Sequence, residues 1–215
     1  MEVGLAAFDM DGTLIQGRVV FALAEKFGLS EKIRQIQSSG QDGHLQTVAI
    51  ASLFTGISKR DLEAAVESLP LTRNCERAVT ILKESGSKVG IISDSYTAAA
   101  GVVAARLGMD FVAANELQIR DGTITGFVRM PLGWEKIDCF CKISVCKRYH
   151  LEEHASKYGI PIEATLAVGD TKSDICMIRR AGLGIAFMPK DEKVANSTNN
   201  VVREPDLLKV LEYIS

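Results

Sequence analysis

Residues 5–15 read LAAFDMDGTLI, an apolar run that ends in two carboxylates, Asp9 and Asp11. The run predicts a buried β-strand that Gly12 breaks. Side chains at alternate positions of an extended chain point to the same side, so we expect Asp9 and Asp11 to converge just beyond the strand. Two like charges held this close repel each other unless a cation or a chemical role offsets the cost. The pair therefore indicates a functional site.

The composition is typical of a globular protein. The chain has 215 residues, of which 47% are hydrophobic, and this is enough for a sizeable core. With 25 Lys and Arg against 27 Asp and Glu, nothing predicts a nucleic-acid or membrane-surface partner. No apolar run is long enough to span a bilayer, and the first strand begins too early for a signal peptide. We therefore expect a cytoplasmic protein.

Short apolar runs alternate with helical patterns along most of the chain. The runs are residues 3–8, 88–93, 110–114, 165–169 and 184–187. This alternation predicts an α/β fold with a Rossmann-like parallel sheet covered by helices. Asp121 and Gly122, flanked by alternating apolar residues, predict a β-hairpin.

One block, residues 17–69, contains helical patterns and no convincing strand. Within it, Ser58 followed by Asp61 resembles a capping box at the start of a helix. We therefore predict two units. Residues 1–16 and 70–215 form an α/β core, and residues 17–69 form a small helical cap inserted after the first strand.

Reactive side chains follow several of the predicted strands. Asp9 and Asp11 follow the first, Ser93 ends the second, and Asp170 follows the run 165–169. Ligands of open parallel sheets bind beyond the carboxyl ends of the strands, where these side chains would meet. Asp174 adds a further carboxylate. Carboxylates without histidine or cysteine among them favour a hard cation, and Mg²⁺ is the usual one with phosphate ligands.

At these residues the chain resembles the haloacid dehalogenase-like (HAD) phosphatases and, within them, the phosphoserine phosphatase group. The match covers nearly the whole chain, and four motifs occur in order. They are DxDxT at residues 9–13, the strand-end serine at Ser93, the lysine at Lys147, and GDxxxD at residues 169–174. The resemblance implies a HAD-like core with a cap. It also implies a Mg²⁺-dependent phosphatase that hydrolyses a small phosphate ester through an aspartyl-phosphate.

The resemblance also implies roles for the acidic residues. Asp9 would be the nucleophile, and Asp11 would act as general acid and then as general base. The metal would be bound by the Asp9 carboxylate, the Asp11 backbone carbonyl and Asp170. Asp174 would orient a metal-bound water.

A second set of residues is implied to bind the phosphate. Ser93 and Lys147 would hold the phosphoryl oxygens, and backbone N–H groups around Met10 and Asp11 would add donors. Asp94 completes the set beside Ser93, at a position where the group usually has glycine.

Substrate choice is expected from the cap. The phosphoserine enzymes carry a cap glutamate and a cap arginine that read the amino and carboxylate groups of the substrate, whereas this chain has Arg18 and Ile50 at those positions. An arginine facing an ammonium group is unfavourable. The sequence therefore does not predict phosphoserine as the substrate, and Arg18 indicates an anionic second group. Residues 130–142, which include Trp134, look longer than their counterpart in the family.

Each motif taken alone also has a structural interpretation. Asp170 and Asp174 could cap a helix, and Ser93 could cap the helix that follows it. Lys147 could lie on a solvated helix face, with Lys142 as the alternative active-site lysine. Helix capping does not explain the doubled carboxylates after the first strand, and the spacing to Asp170 favours Lys147.

Two other functions use the same residue types. A phosphotransferase would form the same aspartyl-phosphate and pass it to an acceptor other than water. A signalling module phosphorylated on aspartate would also use clustered acids, Mg²⁺ and a lysine. Such modules carry the phosphorylated aspartate on a later strand and need no cap, and Asp11 favours rapid hydrolysis.

The chain contains five cysteines, at positions 75, 139, 141, 146 and 176. Their number and spacing predict reduced thiols and not a disulfide scaffold. Zinc is an alternative, because Cys139, Cys141 and Cys146 are close in sequence and Cys146, His150 and His154 recur at every fourth residue of a predicted helix. The absence of a paired CxxC knuckle favours ordinary buried thiols.

Overall fold

Seven strands form one sheet in the computed structural model, which describes residues 2–214. The strands are β1 (Leu5–Phe8), β2 (Lys88–Tyr96), β3 (Phe111–Arg120), β4 (Thr123–Arg129), β5 (Thr165–Gly169), β6 (Leu183–Phe187) and β7 (Val201–Val202). Their spatial order is β4-β3-β2-β1-β5-β6-β7. All neighbours pair in parallel except β3 and β4, which form an antiparallel hairpin around Asp121. The predicted α/β fold is confirmed.

Ten α-helices surround this sheet within the described residues. They are α1 (Val19–Lys26), α2 (Ser30–Ser38), α3 (Gly43–Leu53), α4 (Lys59–Glu67), α5 (Cys75–Glu84), α6 (Thr97–Leu107), α7 (Lys147–Lys157), α8 (Ile175–Arg180), α9 (Glu192–Ala195) and α10 (Leu208–Leu211). Short 3₁₀ turns occupy Trp134–Lys136, Ile162–Ala164 and Lys172–Asp174. In the part of the chain that the structure describes, no helix is long and apolar enough to cross a membrane.

The central strand β1 is buried along its whole length, because helices cover both faces of the sheet. Ala6 and Phe8 face the larger apolar cluster, which includes side chains of α1, α4, α5 and α6. Leu5 and Ala7 face a second cluster with Leu151 of α7. Alternate residues of one strand therefore join two cores, as the period of a β-strand requires.

The third strand is longer than the apolar run 110–114 predicts, because it has two partners. Its first half pairs with β2, and its second half continues beyond the end of β2 to pair with β4 at the edge of the sheet. Asp121 has a φ of +48° and Gly122 a φ of +75°, as expected for the predicted hairpin turn.

The four helices α1 to α4 occupy the segment in which the sequence predicts only helices. Ser58 begins α4 as predicted, because its Oγ accepts a hydrogen bond from the backbone N–H of Asp61 at 3.0 Å.

The tip of the β3–β4 hairpin is attached to this helical segment by backbone hydrogen bonds. Ile57 accepts from the N–H of Ile124, and Gly56 and Lys59 donate back to the carbonyls of Ile124 and Gly122.

Gly184 in β6 lies where a side chain has no room. A Cβ atom at this position would sit 1.9 Å from the carbonyl oxygen of Ile178 in α8. This helix follows the turn that carries Asp170 and Asp174, so the close approach of β6 helps to fix the end of β5.

We expect Gly184→Ala to lower the free energy of unfolding by about 1–3 kcal/mol, because the backbone of α8 must shift to admit the methyl group. Gly101, in the middle of α6, is the matched control, since a Cβ there meets nothing within 4 Å. Gly101→Ala should stabilise the chain by about 0.5–1 kcal/mol. Urea unfolding of both variants measures the difference, and equal effects would contradict the close packing of β6 on α8.

Candidate active site

The carboxyl end of β1 lies between the ends of two other strands. Phe8 pairs in register with Ile91 of β2 and Val168 of β5, and the N–H of Asp9 donates to the carbonyl of Val168 at 2.9 Å. This register places Asp9, which follows β1, beside Asp170, which follows β5. The sheet therefore brings two carboxylates that are distant in sequence to one edge.

Lys147 is the first residue of α7, and its side chain is fully buried at this edge. Its Nζ donates to Oδ1 of Asp9 and to Oδ1 of Asp174, each at 2.5 Å. Burial opposes the charge of Lys147, but Asp174 and Asp9 outweigh it and raise the pKa of the lysine well above its ordinary value. The alternative residue, Lys142, is exposed.

The carboxylate of Asp174 has two structural partners as well as Lys147. Its Oδ2 accepts from the N–H groups of Asp170 and Thr171 at 3.0 and 2.8 Å. The predicted capping role is therefore real for Asp174, which closes a capping box with Thr171. Capping and contact with Lys147 use different oxygens of one side chain.

Asp170 has no such partners. Both of its carboxylate oxygens are buried without a hydrogen bond among the described residues, although Lys190 Nζ lies 3.6 Å from Oδ2 as an ion-pair partner. Burial, and then the charge of Asp174, raises the pKa of Asp170 to about 7. Gly12, with a φ of +88°, leaves room for this carboxylate, because a Cβ there would lie 2.3 Å from Oδ2.

These groups fit a divalent cation that prefers oxygen ligands. Carboxylate oxygens of Asp9, Asp170 and Asp174 lie within 4.8 Å of one another, and all three side chains are buried. Burial, opposed by Lys147 and reinforced by the neighbouring carboxylates, raises the pKa of Asp9 well above its ordinary value. Three acids face one buried lysine, so a cation would satisfy both the unbonded oxygens of Asp170 and the excess negative charge.

Asp11 does not point to the same side as Asp9, as the alternation of an extended chain predicts. The reason is that β1 ends at Phe8 and the chain turns at Met10. Its Oδ1 accepts from the N–H of Val19 at 2.6 Å, at the start of α1. Burial raises the pKa of Asp11 to about 6, although the hydrogen bond from Val19 lowers it. Its carboxylate therefore lies apart from the group formed by the other three acids.

The predicted phosphate-binding residues lie around the same edge. Ser93 is fully buried in β2, and its Oγ accepts from the N–H of Ser95 at 3.1 Å. Asp94 is partly buried, and its carbonyl accepts from Asn115 at 2.7 Å. Met10 is buried at the turn after β1, with its carbonyl bound to the N–H groups of residues 13–15.

A cavity of about 110 Å³ opens between this edge and the helices α2 and α3. Asp11 and Asp94 line it on the side of the sheet. Arg18 and Ile50, the two positions predicted to select the substrate, both line it as well. Arg18 is exposed and its guanidinium lies 5.7 Å from the ring centre of Phe21, whereas Ile50 is buried.

Sequence reasoning missed most of the polar lining of this cavity. Gly43, Gln46, Thr47 and Ile50 of α3 line it together. They stand at positions i, i+3, i+4 and i+7, which is one face of a helix. The same spacing in the sequence could have identified Gln46 and Thr47. Ser95 and Ser144 also line the cavity, and neither belongs to a spacing pattern.

Comparison with known proteins gives consistent results. The model of the haloacid dehalogenase-like hydrolase family matches residues 6–179. Phosphoserine phosphatase SerB2 of Mycobacterium tuberculosis is 35% identical over 191 residues, which are 86% of this chain and 44% of that protein. The phosphoserine phosphatase of Methanocaldococcus jannaschii is 29% identical over 214 residues, which are 98% of this chain and 97% of that protein.

Solved structures agree with these relatives. A structure described as a phospho-aspartyl intermediate analogue of phosphoserine phosphatase matches with a TM-score of 0.85 and 27% identity, and the match covers all of both chains. The chain thus spans less than half of the mycobacterial relative and the whole of this solved structure.

We expect Asp11→Asn to stabilise the chain at pH 7 by about 1–2 kcal/mol. This is less than the full pKa shift of Asp11 corresponds to, because the side chain is partly exposed and water screens its charge. The folded pKa of Asp11, about 6, exceeds its ordinary value of 3.8, so the wild type loses stability as the pH rises from about 4 to 6. Asparagine cannot ionise, and its oxygen can still accept from Val19. Urea unfolding at pH 4 and pH 7 in Mg²⁺-free buffer measures the effect.

Asp61→Asn is the control with the opposite sign. Hydrogen bonds from Lys26 and then Ser58 lower the pKa of Asp61, so this variant should lose stability at pH 7 and lose less as the pH falls. An Asp11→Asn difference that is the same at pH 4 and pH 7 would contradict the raised pKa.

Proposed function

The chain belongs to the haloacid dehalogenase-like hydrolase family and is phosphoserine phosphatase-like, and we propose that it hydrolyses a small phosphomonoester through a phosphate bond to Asp9. One observation carries this proposal. Asp9 is buried against Lys147 and lies beside Asp170, whose two carboxylate oxygens have no hydrogen bond among the described residues. Relatives named phosphoserine phosphatase favour hydrolysis over the phosphotransferase and signalling alternatives.

In the first step a carboxylate oxygen of Asp9 attacks phosphorus, and the bond from phosphorus to the ester oxygen breaks. The departing alkoxide takes the proton of Asp11 and leaves as an alcohol. A pKa of about 6 lets Asp11 give and regain a proton near neutral pH. Lys147 favours the charged, nucleophilic form of Asp9 against the burial that disfavours it.

In the second step a water molecule attacks the phosphorus of the aspartyl-phosphate. Asp11 takes the proton of this water, the bond between Asp9 and phosphorus breaks, and inorganic phosphate leaves. Asp9 returns as a carboxylate and Asp11 as a carboxylic acid, so the site is restored. Ser93 Oγ, Lys147 Nζ and the backbone N–H groups near Met10 hold the phosphoryl oxygens in both steps.

The Asp9 and Asp170 carboxylates and the Asp11 backbone carbonyl would hold Mg²⁺. When bound, this ion supplies positive charge that offsets the repulsion between the Asp9 carboxylate and the anionic phosphate. Asp174, which is already fixed by two backbone N–H groups, would orient a water on the ion.

We further propose that α1 to α4, within residues 17–69, act as the cap over a core of residues 1–16 and 70–215. The support is the position of the cavity, which lies between helices α2 and α3 and the edge of the sheet. A substrate bound there would be enclosed by both units and shielded from water.

Asp9→Asn should abolish phosphate release, because an amide cannot act as the nucleophile. Phosphate release from a panel of metabolites, with Mg²⁺ and without it, measures this loss. Asp121→Asn is the matched control and should retain activity, since Asp121 lies at the turn of the edge hairpin and does not line the cavity. Full activity of a folded Asp9→Asn protein would contradict the nucleophile assignment.

For the substrate, we propose a phosphate ester whose second group is anionic and lacks an ammonium. L-Phosphoserine and the matching 3-phosphoglycerate test this directly, because they differ only in an ammonium against a hydroxyl group. Arg18 lines the cavity together with apolar Ile50, so kcat/KM should favour phosphoglycerate by about tenfold, or about 1.4 kcal/mol.

Arg18→Glu should reverse this preference, because a carboxylate attracts the ammonium that only phosphoserine carries, whereas it repels the carboxylate of both compounds alike. Arg34→Glu is the control, since Arg34 is an exposed residue of α2 that does not line the cavity. A wild-type preference for phosphoserine over every other metabolite would overturn the proposed role of Arg18 without touching the proposed hydrolysis.

A further inference from the structure

A second cluster of metal-binding side chains lies outside the carboxylate site. One sulfur each from Cys139, Cys141, Cys146 and Cys176 lies within 4.8 Å of the other three. Three of these cysteines are buried and Cys141 is partly buried. The first two come from the loop between β4 and α7, Cys146 immediately precedes α7, and Cys176 lies in α8.

The placement differs from that of an ordinary buried thiol. Cys75, the fifth cysteine, is buried in α5 among the apolar residues of the main core. The other four form a separate cluster of their own with Trp134, Ile137 and Tyr149. Packing does not require four sulfurs to meet, because any small apolar side chain fills such space equally well. All four are free thiols in the structure.

The distances suit a tetrahedral metal centre. Zinc–sulfur bonds of about 2.3 Å place tetrahedral sulfurs about 3.8 Å apart, so the four sulfurs need to move inward by less than about 1 Å. The closed set of four thiolates is typical of structural zinc and leaves no open position for a substrate. Sulfur ligands also separate this site from the oxygen ligands of the Mg²⁺ site.

The backbone of the loop supports the same conclusion. Asp138 and Lys142, which flank the segment from Cys139 to Cys141, have φ values of +47° and +46°. Non-glycine residues adopt this conformation at a cost, which metal–sulfur bonds would offset. The loop is closed at its base, where the N–H of Cys146 donates to the carbonyl of Leu132 at 2.9 Å.

His150 and His154, which the helical spacing offers as zinc ligands together with Cys146, do not join the cluster of sulfurs. His150 Nδ1 lies 3.1 Å from Glu153 Oε2, and His154 stacks on Phe111 with ring centres 4.1 Å apart. The helical spacing of Cys146, His150 and His154 therefore does not describe the ligands. The fourth sulfur is that of Cys176, thirty residues further along the chain than Cys146.

We propose that Cys139, Cys141, Cys146 and Cys176 bind one structural Zn²⁺ ion as four thiolates. The thiols release their protons as the metal binds, and no electron is transferred. The ion would tie the loop to the first residues of α7 and α8. Lys147 follows Cys146 directly, and Asp174 precedes Cys176 by two residues, so the same ion would fix the helices that carry the lysine and one of its carboxylate partners.

The first test is the metal content of the full chain, purified without chelator and under reducing conditions. We expect about one equivalent of zinc per chain by mass spectrometry, with four sulfurs at about 2.3 Å by X-ray absorption. Cys141→Ser should lower the zinc content severalfold and lower Tm. Cys75→Ser, a buried cysteine outside the cluster, is the matched control and should retain the zinc.

The wild-type chain provides a second test that does not depend on the folding of a variant. Trp134 is the only tryptophan and packs against the cysteines. Replacing zinc with Co²⁺ should quench its fluorescence and produce the intense ultraviolet charge-transfer absorption of cobalt bound to thiolates.

Three outcomes would overturn the proposal. They are a purified chain that holds no zinc and takes up none at micromolar Zn²⁺, iron in place of zinc, or a disulfide between two of the four cysteines under anaerobic purification. Asp9→Asn should retain the zinc in full, so a failure of the proposed hydrolysis is distinguishable from a failure of the zinc site.

Discussion

The buried ammonium of Lys147, held between Asp9 and Asp174, is the interaction on which the rest of the site depends. Removing one partner of a buried ion pair leaves an uncompensated charge, which typically costs about 3–5 kcal/mol. The contact requires three separate elements to meet: the end of β1, the first residue of α7 and the turn before α8. The charges at the site therefore also fix the relative positions of these elements.

Two neighbouring aspartates are given different properties by their surroundings. Asp9 lies against Lys147 at the sheet edge, whereas Asp11 turns toward the start of α1 and accepts from Val19. Burial raises the pKa of both, but only Asp9 has a direct cationic partner. Carboxyl groups with unlike environments can divide the tasks of nucleophile and proton carrier, which identical environments would prevent.

The sequence predicts those features that depend on local pattern. The strand at residues 165–169 and the N-cap at Ser58 agree with the structure because apolar runs and capping residues act within a few positions. Three other features depend on partners outside the local pattern. The second half of β3 forms because it pairs with β4, and Asp11 turns away from Asp9 because it accepts a hydrogen bond from Val19. The thiol cluster is completed by Cys176, which is distant in sequence from the other three cysteines. Such tertiary contacts leave no periodic signal in the sequence.

The hydrogen bonds between the hairpin tip and the helical segment limit how this molecule can open. The helices α1 to α4 connect covalently to the sheet near Gln16 and Pro70, and they are also bound to Gly122 and Ile124 through backbone groups. A rotation about the covalent connection alone would have to break these bonds. Opening the cavity therefore requires these backbone hydrogen bonds to break or the hairpin to move with the helices, and it also separates α1 and α4 from the apolar cluster that they share with α5 and α6.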